Sequence, residues 1–116
     1  MSTSINPKTE VTIIIPAYNE RNSIEKTING VTAYFQGHGI LYEIIIYADG
    51  DDGTREAASK ISETNQRIVV MGNRERCGKG YGIRQAVLAA HGQIIGFIDA
   101  DNKTPFTEFE KFIPYL

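Results

Sequence analysis

The stretch that most constrains this chain is Gly92-Gln93-Ile94-Ile95-Gly96-Phe97-Ile98-Asp99-Ala100-Asp101. An apolar run ends in two carboxylates one residue apart. Ile94 to Ile98 show no polar alternation, which predicts a strand buried on both faces. A buried parallel strand delivers the residues after it to the carboxyl edge of its sheet, where open α/β folds place ligands. Side chains two apart on an extended segment point the same way, so Asp99 and Asp101 are candidates to face one site. Like charges that close repel unless a cation or a set of donors lies between them. A divalent metal carrying phosphate oxygens suits such a pair, because hard cations take carboxylate ligands. On spacing alone the commoner reading is two solvated aspartates opening a turn before Asn102.

The rest of the chain alternates strand and helix. Val11-Thr12-Ile13-Ile14-Ile15 is β-branched throughout and predicts a first, central strand ending at Pro16, which cannot continue a central ladder. Ala17-Tyr18-Asn19-Glu20 forms the loop at its carboxyl end. Asn22 with Glu25 resembles a capping box, and Ile24, Ile28, Val31 and Phe35 supply the apolar stripe of a helix that Gly37 and Gly39 terminate. Tyr42 to Tyr47 reads as the second strand. It runs into Ala48-Asp49-Gly50-Asp51-Asp52-Gly53-Thr54, rich in residues for tight turns and helix starts. A helix from about Thr54 to Glu63 turns Ala57, Ala58 and Ile61 inward, and Ile68 to Met71 is a short third strand. A third helix over about Gly80–Ala90 carries Ile83, Val87 and Ala90 on one face. Thr104 and Pro105 stand where a last helix would begin, with Phe106, Phe109, Phe112 and Ile113 as its apolar face.

This alternation implies a Rossmann-like three-layer α/β/α sandwich with a mostly parallel sheet and right-handed crossovers. The expected strand order is third, second, first, fourth. The first and fourth strands then meet at the switch point, and the loops Pro16–Glu20, Ala48–Thr54 and Asp99–Thr104 converge there.

Gly78-Lys79-Gly80-Tyr81-Gly82 enters from the side. It could bring backbone N–H groups and the Lys79 charge to an anion. It is neither a Walker loop nor a dinucleotide fingerprint, and a plain loop with a helix start explains it as well.

The 116 residues make one domain, with 1–10 as a flexible tail and 11–116 as the folded unit. A charged fraction of 22% and a hydrophobic fraction of 41% are those of a soluble globular protein. A net charge of -2 gives no long-range attraction for nucleic acid or an anionic membrane. Cys77, the single cysteine, excludes an internal disulfide and fits a cytoplasmic, reducing compartment. Cys77, His38 and His91 read as non-catalytic.

The residues also carry a resemblance. Val11 to Glu20 resembles the opening of the family-2 glycosyltransferases of the GT-A fold, and Glu43 to Thr54 is similar to that family's second strand and its Asp-Asp-Gly-Ser…Asp-Gly-Thr loop. Gly78-Lys79-Gly80 and the DXD motif Asp99-Ala100-Asp101 follow in order. The flavour is that of the dolichyl-phosphate mannose synthase and polyprenyl-phosphate glycosyltransferase branch.

The resemblance implies a nucleotide-diphosphate sugar as donor, UDP- or GDP-linked, and a polyprenyl phosphate as one acceptor. Work at the cytoplasmic membrane face goes with such an acceptor. By the resemblance, Pro16, Tyr18 and Glu20 line the base and ribose pocket. Asp49 contacts the base, Lys79 lies near the nucleotide, Asp99 reaches ribose or metal, and Asp101 holds Mg²⁺ or Mn²⁺ on the diphosphate. Ala48 stands where the family has the first aspartate of its loop, and the loop is one residue shorter. The family's acceptor site and catalytic base lie beyond Leu116. The chain therefore reads as a truncated, donor-binding half, inactive in transfer by itself and prone to self-association. A catalytically silent nucleotide-sugar-binding module and another nucleotide-binding α/β domain are the alternatives.

Overall fold

The computed structural model describes residues 9–98. The elements are β1 (Val11–Ala17), α1 (Ile24–His38), β2 (Tyr42–Ala48), α2 (Thr54–Ser62), β3 (Ile68–Met71), α3 (Lys79–Ala89) and β4 (Ile94–Phe97). The strands form one parallel sheet in the order β3-β2-β1-β4, as the alternation predicts. β1 is central, with Val11 opposite both Tyr42 and Ile94.

Strand pleating sorts the isoleucines. Ile13, Ile15, Ile44 and Ile46 pack on one face against Ile24, Ile28, Val31 and Phe35 of α1 and Ala58 of α2. Ile14 and Ile45 pack on the other face against Ala86 of α3. Helices on both faces explain why β1 and β2 show no polar alternation. Each isoleucine side chain buried this way contributes about 1.5–3 kcal/mol relative to exposure.

Four local expectations are corrected. β1 runs through Pro16 to Ala17, with Pro16 opposite Tyr47. Ile14 O accepts from Ile98 N, so Pro16, two residues on, turns toward β4 as well. The β1–β4 pairing stops at Ile14 and Phe97, and the N–H that proline lacks falls past it. The α1 N-cap is Ser23, without a side-chain cap bond, rather than Asn22. Its hydroxyl instead donates to Glu20 Oε2 at 2.8 Å.

α3 docks through Gly82 and Ala86, while Val87 is exposed. A Cβ on Gly82 would come within 2.5 Å of Tyr47 Cδ1, so the smallest residue sets which face meets the sheet. β4 is half-buried rather than buried on both faces, and Phe97 is 54% exposed. Among the described residues β4 has a neighbouring strand on one side only. Glu10, at the junction with the expected tail, is bonded into the sheet: its N–H donates to Leu41 O and its carbonyl accepts from Gln93 and Ile94 N–H. The last-helix expectation over Thr104–Ile113 lies outside the described residues.

Candidate functional site

Because all four strands are parallel, their carboxyl ends share one edge. Three described loops meet there: 18–23 after β1, 49–53 after β2 and 72–78 after β3. β4 brings Ile98 to the same edge, its N–H donating to Ile14 O at 3.1 Å.

The first loop turns at Asn19, a non-glycine residue at φ 57°. Asparagine tolerates this left-handed conformation better than most residues, which accounts for its place between Tyr18 and Glu20. Glu20 N donates to Thr54 Oγ1 at 3.0 Å, and Thr54 Oγ1 donates to Asp52 Oδ2 at 2.7 Å. This relay ties the first loop to the start of α2. Burial pushes the Asp52 carboxyl up, but bonds from the Thr54 hydroxyl and N–H outweigh it and hold the group below its usual range.

Asp49 ties the second loop to the third. It is only 6% exposed, so its carboxylate needs donors. Oδ1 accepts from Asn73 N and Oδ2 from Cys77 N, each at 2.9 Å. Gly50 N donates to Asn73 O at 2.9 Å. Arg55 Nη1 reaches three carbonyls: Ala48 O at 2.8 Å, and Gly50 O and Asn73 O at 3.0 Å. Asn73 Nδ2 donates to Tyr47 OH at 3.1 Å. Burial first, then the Asp49 carboxylate, raise the Tyr47 hydroxyl above its usual range, so it stays protonated. Gly72 lets β3 end close against β2, since a Cβ there would overlap Ala48 O.

Tyr18 is 41% exposed at the mouth of this clasp. Gly50, at φ +103°, lies against it: a Cβ there would approach Tyr18 Cε1 to 3.1 Å. The Arg76 guanidinium covers the ring, with Cζ 4.1 Å from the centroid. The structure therefore gathers Pro16, Tyr18, Glu20 and Asp49 at one edge, and Lys79 opens α3 directly after the third loop. Asp99 and Asp101 lie outside the described residues. Among the described residues no cluster of three or more His, Cys, Asp or Glu is placed to hold a metal ion.

His38 ends α1, with Nδ1 2.8 Å from Tyr34 O. His91 lies at the amino edge of the sheet, beside Glu43. Cys77 is exposed. Arg55, Asn73 and Arg76 were not singled out from the sequence. Arg55 directly follows the Gly53-Thr54 helix start, and Arg76 is the second arginine of Arg74-Glu75-Arg76; neither signal says what the side chain will meet.

A parallel α/β sheet whose polar loops converge where the strand order reverses defines the class of open α/β proteins that bind their ligands at that crevice. The sequence profile described as Glycosyl transferase family 2 matches residues 12–116, and the chain belongs to that family. It is 30% identical over 114 residues to a dolichyl-phosphate beta-glucosyltransferase of Drosophila melanogaster, covering 91% of this chain and 35% of that protein. It is 31% identical over 112 residues to the putative teichuronic acid biosynthesis glycosyltransferase TuaG of Bacillus subtilis, covering 96% and 43%.

Among solved structures, mannosyltransferase PcManGT from Pyrobaculum calidifontis, in complex with GDP-Man and Mn²⁺, matches at TM-score 0.68 and 29% identity, over 79% of this chain and 27% of that one. Glucosyl-3-phosphoglycerate synthase from Mycobacterium tuberculosis, in complex with Mn²⁺, UDP and phosphoglyceric acid, matches at TM-score 0.66 and 26% identity, over 93% and 37%. The chain thus spans less than half the length of each of these proteins.

Proposed function

We propose that this chain is the donor-binding part of a glycosyltransferase that takes a UDP- or GDP-sugar together with Mg²⁺ or Mn²⁺. The observation that carries this reading is the clasp of three loops around Tyr18 at the carboxyl edge, with β4 leading directly to Asp99-Ala100-Asp101. In this reading Pro16, Tyr18 and Glu20 line the base and ribose pocket, and Lys79 stands near the phosphates. Asp49 spends one acceptor site of each oxygen on the third loop. It positions the pocket wall and keeps further lone pairs for a base.

Asp99 and Asp101 supply the hard oxygen donors that a divalent cation requires. Bound there, the metal would neutralise charge on the leaving nucleoside diphosphate. The acceptor in this reading is a polyprenyl phosphate, supported by the name of the Drosophila relative. A lipid-borne acceptor places the protein peripherally at the cytoplasmic face of a membrane. Among the described residues no helix is long and apolar enough to cross one.

Calorimetry of the chain with UDP and GDP, with and without Mn²⁺, tests the reading. Binding is expected to strengthen with metal, and Asp101→Asn is expected to lose most of that increment, about tenfold or more, because a charged ligand is removed. Equal affinity in chelator and in Mn²⁺ would refute the assignment of the metal to this motif.

A further inference from the structure

The contact between Arg76 and Tyr18 has no part in the roles given so far. The backbone that carries Arg76 is fixed. Asn73 and Cys77 flank it, and Asp49 holds both of their N–H groups. Asn73 O is held in turn by Gly50 N and Arg55 Nη1. Gly50 also lies against Tyr18. One clasp therefore positions both the ring and the loop, and the long Arg76 side chain is the part able to turn. Its neighbour Arg74 pairs with Asp51 across 3.5 Å. An exposed cation–π contact is weak enough to yield to a ligand. At 4.1 Å from the centroid, however, the guanidinium leaves no room for a second flat group on that face.

We propose that Arg76 is a specificity residue that screens nucleotides by their phosphates. In the free protein its guanidinium occupies one face of the exposed Tyr18 ring. A nucleobase that stacks there must displace it. An uncharged nucleoside gives the displaced cation nothing in return. A nucleoside diphosphate offers phosphate oxygens that the planar guanidinium can meet with paired N–H donors. The pocket thus discriminates against nucleosides without a dedicated steric barrier. This inference rests on the reading of the carboxyl-edge loops as a nucleotide site.

The test is an NMR titration of the chain and of its Arg76→Ala and Arg76→Lys variants with uridine, guanosine, UDP and GDP at one fixed Mg²⁺ concentration. Arg76→Ala is expected to bind the nucleosides about two- to fivefold more tightly, the worth of an exposed cation–π contact. The affinity gained by adding the two phosphates is expected to shrink by about threefold or more, the scale of an exposed ion pair. Arg76→Lys, which keeps the charge without the planar fork, is expected to retain only part of that gain. Nucleoside binding that is unchanged or weaker in Arg76→Ala, or an undiminished phosphate gain, overturns the inference and leaves the nucleotide site standing. A wild-type chain that binds neither UDP nor GDP overturns the site reading, and the inference with it.

Discussion

Asp49 joins two loops through one buried carboxylate, and its replacement tests how much the site depends on that bond pair. Asp49→Ala leaves the N–H groups of Asn73 and Cys77 without their acceptor. Both bonds are part-buried and made to a carboxylate, which makes the loss larger than that of a surface hydrogen bond. The expected cost is about 2–4 kcal/mol in urea unfolding, with faster amide exchange at Asn73 and Cys77. Asp49→Asn does not repair it, because an amide turns an N–H₂ toward one of the two donors. The sequence marked Asp49 as a site residue but could not show this use. Its partners lie 24 and 28 residues away and reach it only once β2 and β3 are paired. The Arg76–Tyr18 contact was illegible for the same reason, since it needs the turn at Asn19 as well as the clasp.

Elements with strong periodicity were the legible ones. The stripe of α1 predicted its buried apolar residues, because Ile24, Ile28, Val31 and Phe35 are large and regularly spaced, but not the polar Thr27 buried between them. α3 offered Ile83, Val87 and Ala90 as an apolar face; Ala90 does pack at the border of the core, but Val87 is exposed and the sheet receives Gly82 and Ala86. Close approach to Tyr47 outweighed hydrophobicity, a preference that no apolar count registers. Gly82→Ala tests this. The added methyl meets the Tyr47 ring, which β2 holds nearly buried. The expected loss is about 1–3 kcal/mol despite the better helix propensity of alanine, measured as a lowered midpoint of thermal unfolding. Stabilisation would show that α3 does not depend on its close approach at this point.

Across the whole molecule the two edges of the sheet do different work. The carboxyl edge carries the loops of the candidate site. The amino edge is closed by a network that joins β1, β2 and the turn before β4. Glu43 Oε1 accepts from Thr12 Oγ1 at 2.8 Å and His91 N at 2.9 Å, Oε2 lies 2.9 Å from His91 Nδ1, and Gly92 N donates to Thr12 Oγ1 at 2.8 Å. Burial pushes the Glu43 carboxyl up, but the His91 N–H, the His91 ring and the Thr12 hydroxyl outweigh it and hold the group below the ordinary glutamate value. A folded-state value below the unfolded one stabilises the fold above the ordinary value of 4.5, and that share is lost as pH falls through the lower folded value. The stability difference between the wild type and Glu43→Gln should therefore be fully present at pH 7 and shrink below pH 4.5 in chemical denaturation. Nucleotide affinity at pH 7 should not change, because the network stands at the far edge from Tyr18. A parallel loss of affinity would show that the two edges are coupled.

The close approach of β3 to β2 is made on the backbone of Ala48. The residue is fully buried in the core beneath α1 and α2, its carbonyl is held by Arg55, and Gly72 stands against it. An aspartate placed there, as in the loop this chain resembles, would put a carboxylate among isoleucines with its nearest donor already committed. Arg55 and Gly72 meet the backbone of Ala48, so neither offers such an acid a partner, and the cost of burying an unpaired charge falls on the fold.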